Sequence, residues 1–120
     1  SKVFLGGFLT YSNKLKEKVL GVESGTLGKY GAVSKEVSIE MAEGARLKSE
    51  ADHALSITGI AGPEGGTEDK PVGTVWLGLS SIGRKPIAIR KFHPYDRGTF
   101  KQATVNQALE LIRRRLFQDK

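Results

Sequence analysis

Apolar and polar positions follow two rhythms along this chain. The run from Val72 to Ser80, VGTVWLGLS, is apolar almost throughout, which predicts a strand covered on both faces and central in its sheet. Ala54 to Thr58, ALSIT, predicts a short strand, and Ile87 to His93, IAIRKFH, another. The turn-forming stretch Ile82 to Pro86 lies between the second and third of these, so they are expected to pair as an antiparallel hairpin. Val3 to Thr10, VFLGGFLT, is also apolar and β-rich and predicts a strand. Its Gly6-Gly7 pair marks a bulge or a close backbone approach.

The other rhythm is helical. Ser12 and Asn13 are capping residues, and KLKEKVL after them predicts a short helix closed by Gly21. Thr26 to Lys29 predicts a further turn of helix, ended by Gly31. Ser34 reads as an N-cap with Glu36 in the first turn, so a helix should run to about Ser49. Val37, Met41 and Ala45, flanked by Ala42, form its buried stripe, and Gly44 within it implies close packing on a neighbour. Arg97 to Phe117 predicts a long helix with Val105, Leu109, Ile112 and Leu116 on one face. Strands interleaved with helices, without repeats or linkers, argue one α/β layered domain over residues 1–120 with a mixed sheet.

Composition narrows the class. The chain has 120 residues, 38% hydrophobic and 27% charged, within the range of ordinary globular domains. No run approaches the roughly 18 apolar residues of a membrane span, so no membrane partner is expected. There are no cysteines, which excludes disulfides and thiolate metal sites and fits a cytoplasmic setting. Two isolated histidines, His53 and His93, make no metal site and read as rim residues. The net charge is +6, but its basic residues fall in scattered groups: Lys14, Lys16 and Lys18; Arg84, Lys85, Arg90 and Lys91; Arg113, Arg114 and Arg115. Without one stripe interleaved with aromatics, nucleic acid is not the expected partner. The arginine run at the end reads as the solvated end of the last helix, and Trp76 as a core residue.

Two constellations carry candidate chemistry. On a wheel of about 100° per residue, with Leu15 at zero, Val19 falls near 40°, Lys16 near 100° and Leu20 near 140°. Lys16 thus breaks the amphipathic pattern that Lys14, Glu17 and Lys18 obey. A lysine withdrawn from water has a lowered pKa and suits a general base, with Tyr11 just before it to orient or relay a proton. A lysine that snorkels past Leu20 to the surface fits the same wheel. The second constellation is TGIAGPEGGT, Thr58 to Thr67. A glycine-rich turn after a strand can present backbone N–H groups to a phosphate or oxyanion, Pro63 adds rigidity, and Lys70 could add a positive charge. Glu64, Glu68 and Asp69 would repel an anion, so they are expected to face solvent. The spacing fits neither a Walker A loop nor the dinucleotide fingerprint. A plain connection between two strands remains an equal reading of these residues.

The blocks TYSNKLKEKVLGV, YGAVSKEV, MAEGA and TGIAGPEGGTEDKPVGTVW, in this order along the chain, resemble the C-terminal domain of the CinA competence/damage-inducible family, the nicotinamide mononucleotide amidase (PncC) type. The resemblance runs from about Val3 to the last helix. It implies a three-layer α/β/α sandwich and hydrolysis of the carboxamide of nicotinamide mononucleotide to nicotinic acid mononucleotide and ammonia, with no cofactor and no metal. It assigns the family's catalytic tyrosine and lysine to Tyr11 and Lys16. It assigns nucleotide binding to Thr58, Gly59, Ala61, Gly62, Gly65 and Gly66. The family's nucleophilic serine belongs to an upstream E-S-C-T-G-G block that these residues do not contain, and neither Ser12 nor Ser24 matches it. The resemblance therefore implies a domain truncated at its N-terminus by about 40 residues, inactive as an isolated chain and completed by an upstream segment or by homo-oligomerisation. A non-catalytic nucleotide-binding or oligomerisation module is the alternative. The family's Gly-Asp-Arg block appears as Tyr95-Asp96-Arg97, and a following arginine as Lys101, a point charge in place of a bidentate fork.

Overall fold

The computed structural model describes residues 3–118. In chain order the elements are α1 (Asn13–Leu20), α2 (Ser24–Tyr30), α3 (Lys35–Ser49), β1 (His53–Gly59), β2 (Thr74–Ser81), β3 (Ile87–Phe92) and α4 (Arg97–Gln118). The helix ends follow local chemistry. Ser12 Oγ accepts from the Leu15 amide at 3.1 Å and Ser34 Oγ from the Val37 amide at 3.2 Å, caps that contribute about 1 kcal/mol each. Gly21 closes α1 in the left-handed region at φ 72°, a conformation that a side chain would oppose.

The sheet has the order β1-β2-β3, with β2 central as its apolar run requires. Both pairings are antiparallel, with Leu55 opposite Leu79 and Leu77 opposite Ile89. The β2–β3 hairpin is thus as expected, but the sheet is antiparallel throughout rather than mixed. The reason is Val3–Thr10, expected as a strand. Those residues join no ladder, and Val3, Phe4, Leu5 and Leu9 are exposed. Strand propensity describes a chain that suits a pleated surface; it does not by itself pair that chain with a sheet edge.

The three layers come from the two faces of β2. Val75 and Leu77 pack with Phe100 and Ala108 of α4 on one side. On the other side α3 lies so close that a Cβ on Gly78 would stand 2.4 Å from the Ser38 carbonyl oxygen. The close approach is polar as well: Ser56 Oγ donates to the Ser38 carbonyl at 2.6 Å. A second cluster, Leu20, Val22, Leu27, Val37 and Met41, binds α1 and α2 to the outer side of α3. The α3 stripe read from the sequence is therefore buried as expected, with Val37 and Ala42 fully so.

Three expectations are corrected. α4 does not bury its most apolar stripe: Val105, Leu109 and Leu116 are exposed, while Phe100, Thr104, Ala108 and Arg115 face inward. Its two ends set its rotation. Phe100 sits under Gly59, whose Cβ would be 3.1 Å from Cζ, and Arg115 Nη1 donates to Ser81 Oγ at 2.7 Å. Arg115 is accordingly a buried residue and not part of a solvated end, while Arg113 and Arg114 pair with Glu110 at the surface. His93 is buried rather than at a rim, stacked on Tyr95 at 5.9 Å and edge-on to Phe100 at 6.4 Å. His53 meets Ser81 Oγ through Nδ1 at 2.8 Å. Trp76 is half-buried on the α3 side of the sheet.

Candidate active site

The break in the α1 pattern marks a buried lysine. Lys16 is only 7% exposed, and Leu20 is the other buried residue of α1. Its Nζ donates to the Thr10 carbonyl at 2.5 Å. Lys16 forms no ion pair among the described residues, and burial lowers its pKa below the ordinary 10.5. The snorkelling alternative is thereby removed. Tyr11 behaves differently. Its ring is 80% exposed, and the lysine bonds the carbonyl of the residue before it, not the phenol.

The glycine loop leaves the end of β1 and returns to the start of β2. Its base is closed by backbone hydrogen bonds: the Ile60 amide to the Thr74 carbonyl at 2.9 Å, and the Gly73 amide to the Ile60 carbonyl at 2.7 Å. Its interior packs on Val72. Gly62 has φ 80°, and a Cβ there would stand 2.4 Å from Val72 Cγ1, so only glycine fits that position. Gly66 presses on the same segment, with a Cβ position 2.7 Å from the Val72 amide nitrogen. Among the described residues, the amides of Gly62, Glu64 and Gly65 have no hydrogen-bond acceptor in the protein. The loop is thus a fixed form with unused donors, the arrangement that suits an oxyanion.

An open pocket of 470 Å³ lies over this loop, within the range of small-molecule sites. Gly59, Ile60, Ala61, Gly62, Pro63, Glu64, Gly65 and Arg97 line it. Four of the six predicted binding residues, Gly59, Ala61, Gly62 and Gly65, therefore share one wall. Thr58 lies outside that lining, and its Oγ1 donates to the Ala32 carbonyl at 2.8 Å. Gly66 also lies outside it, against Val72.

The cation at the pocket is not the expected one. Lys70 Nζ donates to the Tyr30 carbonyl at the C-terminal end of α2, where it caps that helix and ties the loop to it. Arg97 supplies the charge instead, its Nη1 donating to the Gly62 carbonyl at 3.1 Å. Its position is set by the preceding residue. Asp96 caps α4 through the Thr99 amide at 3.1 Å and the Thr99 hydroxyl at 2.7 Å, bonds that hold its carboxyl below the usual carboxylate range. The Tyr95-Asp96-Arg97 block held this signal, but a loop and an arginine 35 residues apart meet only once α4 is docked. Glu64, Glu68 and Asp69 are exposed, as expected, and Glu64 lies at the open pocket.

The model of the CinA C-terminal domain family matches residues 1–116. A CinA-like protein of Leptospira biflexa is 48% identical over 112 residues, 93% of this chain and 27% of that protein. The nicotinamide-nucleotide amidohydrolase PncC of Escherichia coli is 42% identical over 116 residues, 97% of this chain and 70% of that protein. The chain thus spans about a quarter of the length of its CinA-like relatives. The crystal structure of the competence/damage inducible protein CihA from Agrobacterium tumefaciens superposes with a TM-score of 0.85 at 40% identity, over 88% of this chain and 65% of that one. With its α/β layers, its glycine loop and matches over nearly all of its length, the chain belongs to the CinA C-terminal domain family.

Proposed function

We propose that this chain is a nicotinamide-nucleotide amidohydrolase domain, its substrate the carboxamide of nicotinamide mononucleotide. The observation that carries the reading is Lys16, a desolvated lysine without an anionic partner, in a chain 42% identical to an enzyme named for that reaction. The glycine loop and Arg97 hold the nucleotide, the loop amides and the guanidinium taking its anionic oxygens. Thr58 and Gly66 keep the loop in shape from behind.

The chemistry proceeds as acyl transfer. A serine hydroxyl, supplied from outside these residues, attacks the carboxamide carbon. Neutral Lys16 takes the serine proton and returns it to the departing amine, which leaves as ammonia. Water then attacks the acyl ester and releases the carboxylate. A lowered pKa serves this role because the amine is a base only when neutral. Tyr11, exposed and next in sequence to the Thr10 whose carbonyl Lys16 holds, assists once the chain around it closes. The open edges of the sheet and the exposed apolar stripe of α4 are where an upstream segment or a second copy completes the domain.

The 120 residues alone should bind nicotinamide mononucleotide and release no ammonia, which titration calorimetry and an ammonia assay check together. Turnover by these residues alone would overturn the assignment of the nucleophile. Arg97→Ala should weaken binding by about 10- to 100-fold, the range for one charge-assisted contact, and Arg97→Lys should recover part of it. Equal affinity in all three proteins would remove Arg97 from the site.

A further inference from the structure

Glu64 and Arg97 line the same open pocket, and among the described residues that line it they are the charged ones, Glu64 exposed to solvent. No ion pair joins them; the guanidinium is turned to the Gly62 carbonyl. A carboxylate next to an anion site is unfavourable unless the ligand brings a positive charge of its own. Opposite charges that share a small pocket without neutralising each other match a ligand whose charges are likewise separated.

We propose that Glu64 is a specificity residue that recognises the positive ring of an oxidised pyridinium nucleotide while Arg97 holds its phosphate. The pocket then prefers oxidised nicotinamide mononucleotide to the reduced, dihydropyridine form. This rests on the amidohydrolase reading above and adds to it. The two forms share the carboxamide, the ribose and the phosphate, and differ at the ring charge, so contacts to the shared groups cannot tell them apart. Glu64 can. It stands in an open pocket, where water weakens the attraction, so the preference should be about five- to tenfold. It should shrink as salt is added, because the screening length falls from about 10 Å at 0.1 M to about 3 Å at 1 M.

The test is the affinity of the 120-residue chain for oxidised and for reduced nicotinamide mononucleotide, by titration calorimetry at low and at high salt. Glu64→Gln keeps the shape and removes the charge, and Glu68→Gln, which lies outside the pocket lining, is the control. The expected result is a preference for the oxidised form that Glu64→Gln abolishes and Glu68→Gln leaves in place. Equal affinities in the unsubstituted chain, or a preference that survives Glu64→Gln, would overturn the role of Glu64 and leave the amidohydrolase reading standing. If neither form binds, that reading falls and the proposal with it.

Discussion

Lys16→Met is expected to reduce turnover by about 10²- to 10⁴-fold, the contribution of a positioned general base, with substrate binding mostly kept. The measurement needs a chimera that places the family's E-S-C-T-G-G segment ahead of Val3, with ammonia release and nucleotide affinity followed in parallel. A loss of binding equal to the loss of rate would make Lys16 a substrate contact instead. Methionine has nearly the length of lysine and no charge, so the α1 core should accept it. The substitution also has a signature in stability. Burial lowers the pKa of Lys16 in the folded chain, while the unfolded chain keeps the ordinary value of 10.5. Below the folded value both states hold the proton, and the folded state bears the full cost of the buried charge. Between the two values the unfolded chain binds the proton that the folded chain has shed, so stability rises with pH up to 10.5. Lys16→Met should lack that rise. Denaturant titrations of both proteins across this window check it, and parallel curves would contradict the desolvation of Lys16.

Gly44→Ala is expected to be the most damaging small substitution in the fold. A Cβ there would lie 1.8 Å from the Leu20 carbonyl oxygen and 2.7 Å from its carbon, atoms of a backbone that cannot swing aside. The last turn of α1 would have to lift off α3, opening the cluster of Leu20, Val22 and Met41. Overpacking of this kind costs about 3 kcal/mol, well beyond the roughly 1 kcal/mol that alanine adds to a helix over glycine. The melting temperature should fall by about 10 °C. Because α1 also carries Lys16, the same substitution in the chimera should depress turnover. Gly28→Ala is the comparison. Gly28 lies within α2 with open space where a Cβ would go, so alanine there should stabilise by roughly 0.5–1 kcal/mol. Similar melting temperatures for the two variants would contradict the packing of α1 on α3.

What could be read from the sequence was set by local chemistry. Ser12, Gly21 and Ser34 cap helices because capping depends on a few neighbouring residues, and each does so here. The run VGTVWLGLS becomes the central strand because an apolar stretch needs cover on both faces. Lys16 stood out because a charge in an apolar arc must have its cost met by some contact, here the Thr10 carbonyl. What could not be read depended on docking. Val3–Thr10 has the composition of a strand and no ladder, since pairing is a property of two segments. The stripe of α4 was visible, but Phe100 beneath Gly59 and Arg115 on Ser81 turn a different face to the sheet. Arg97 reaches the loop only through that docking, and Lys70, near the loop in sequence, is held by α2 instead. The site's charges were therefore the part least visible in advance.

The central claim is that the glycine loop and Arg97 form a nucleotide site. It is tested most directly by titrating nicotinamide mononucleotide into the nitrogen-labelled chain and following its backbone amide resonances. The account predicts saturable shifts at Gly59, Gly62, Glu64, Gly65 and Arg97, with those of α2 unmoved. Loop resonances that stay fixed while the nucleotide is added to saturating concentration would contradict it.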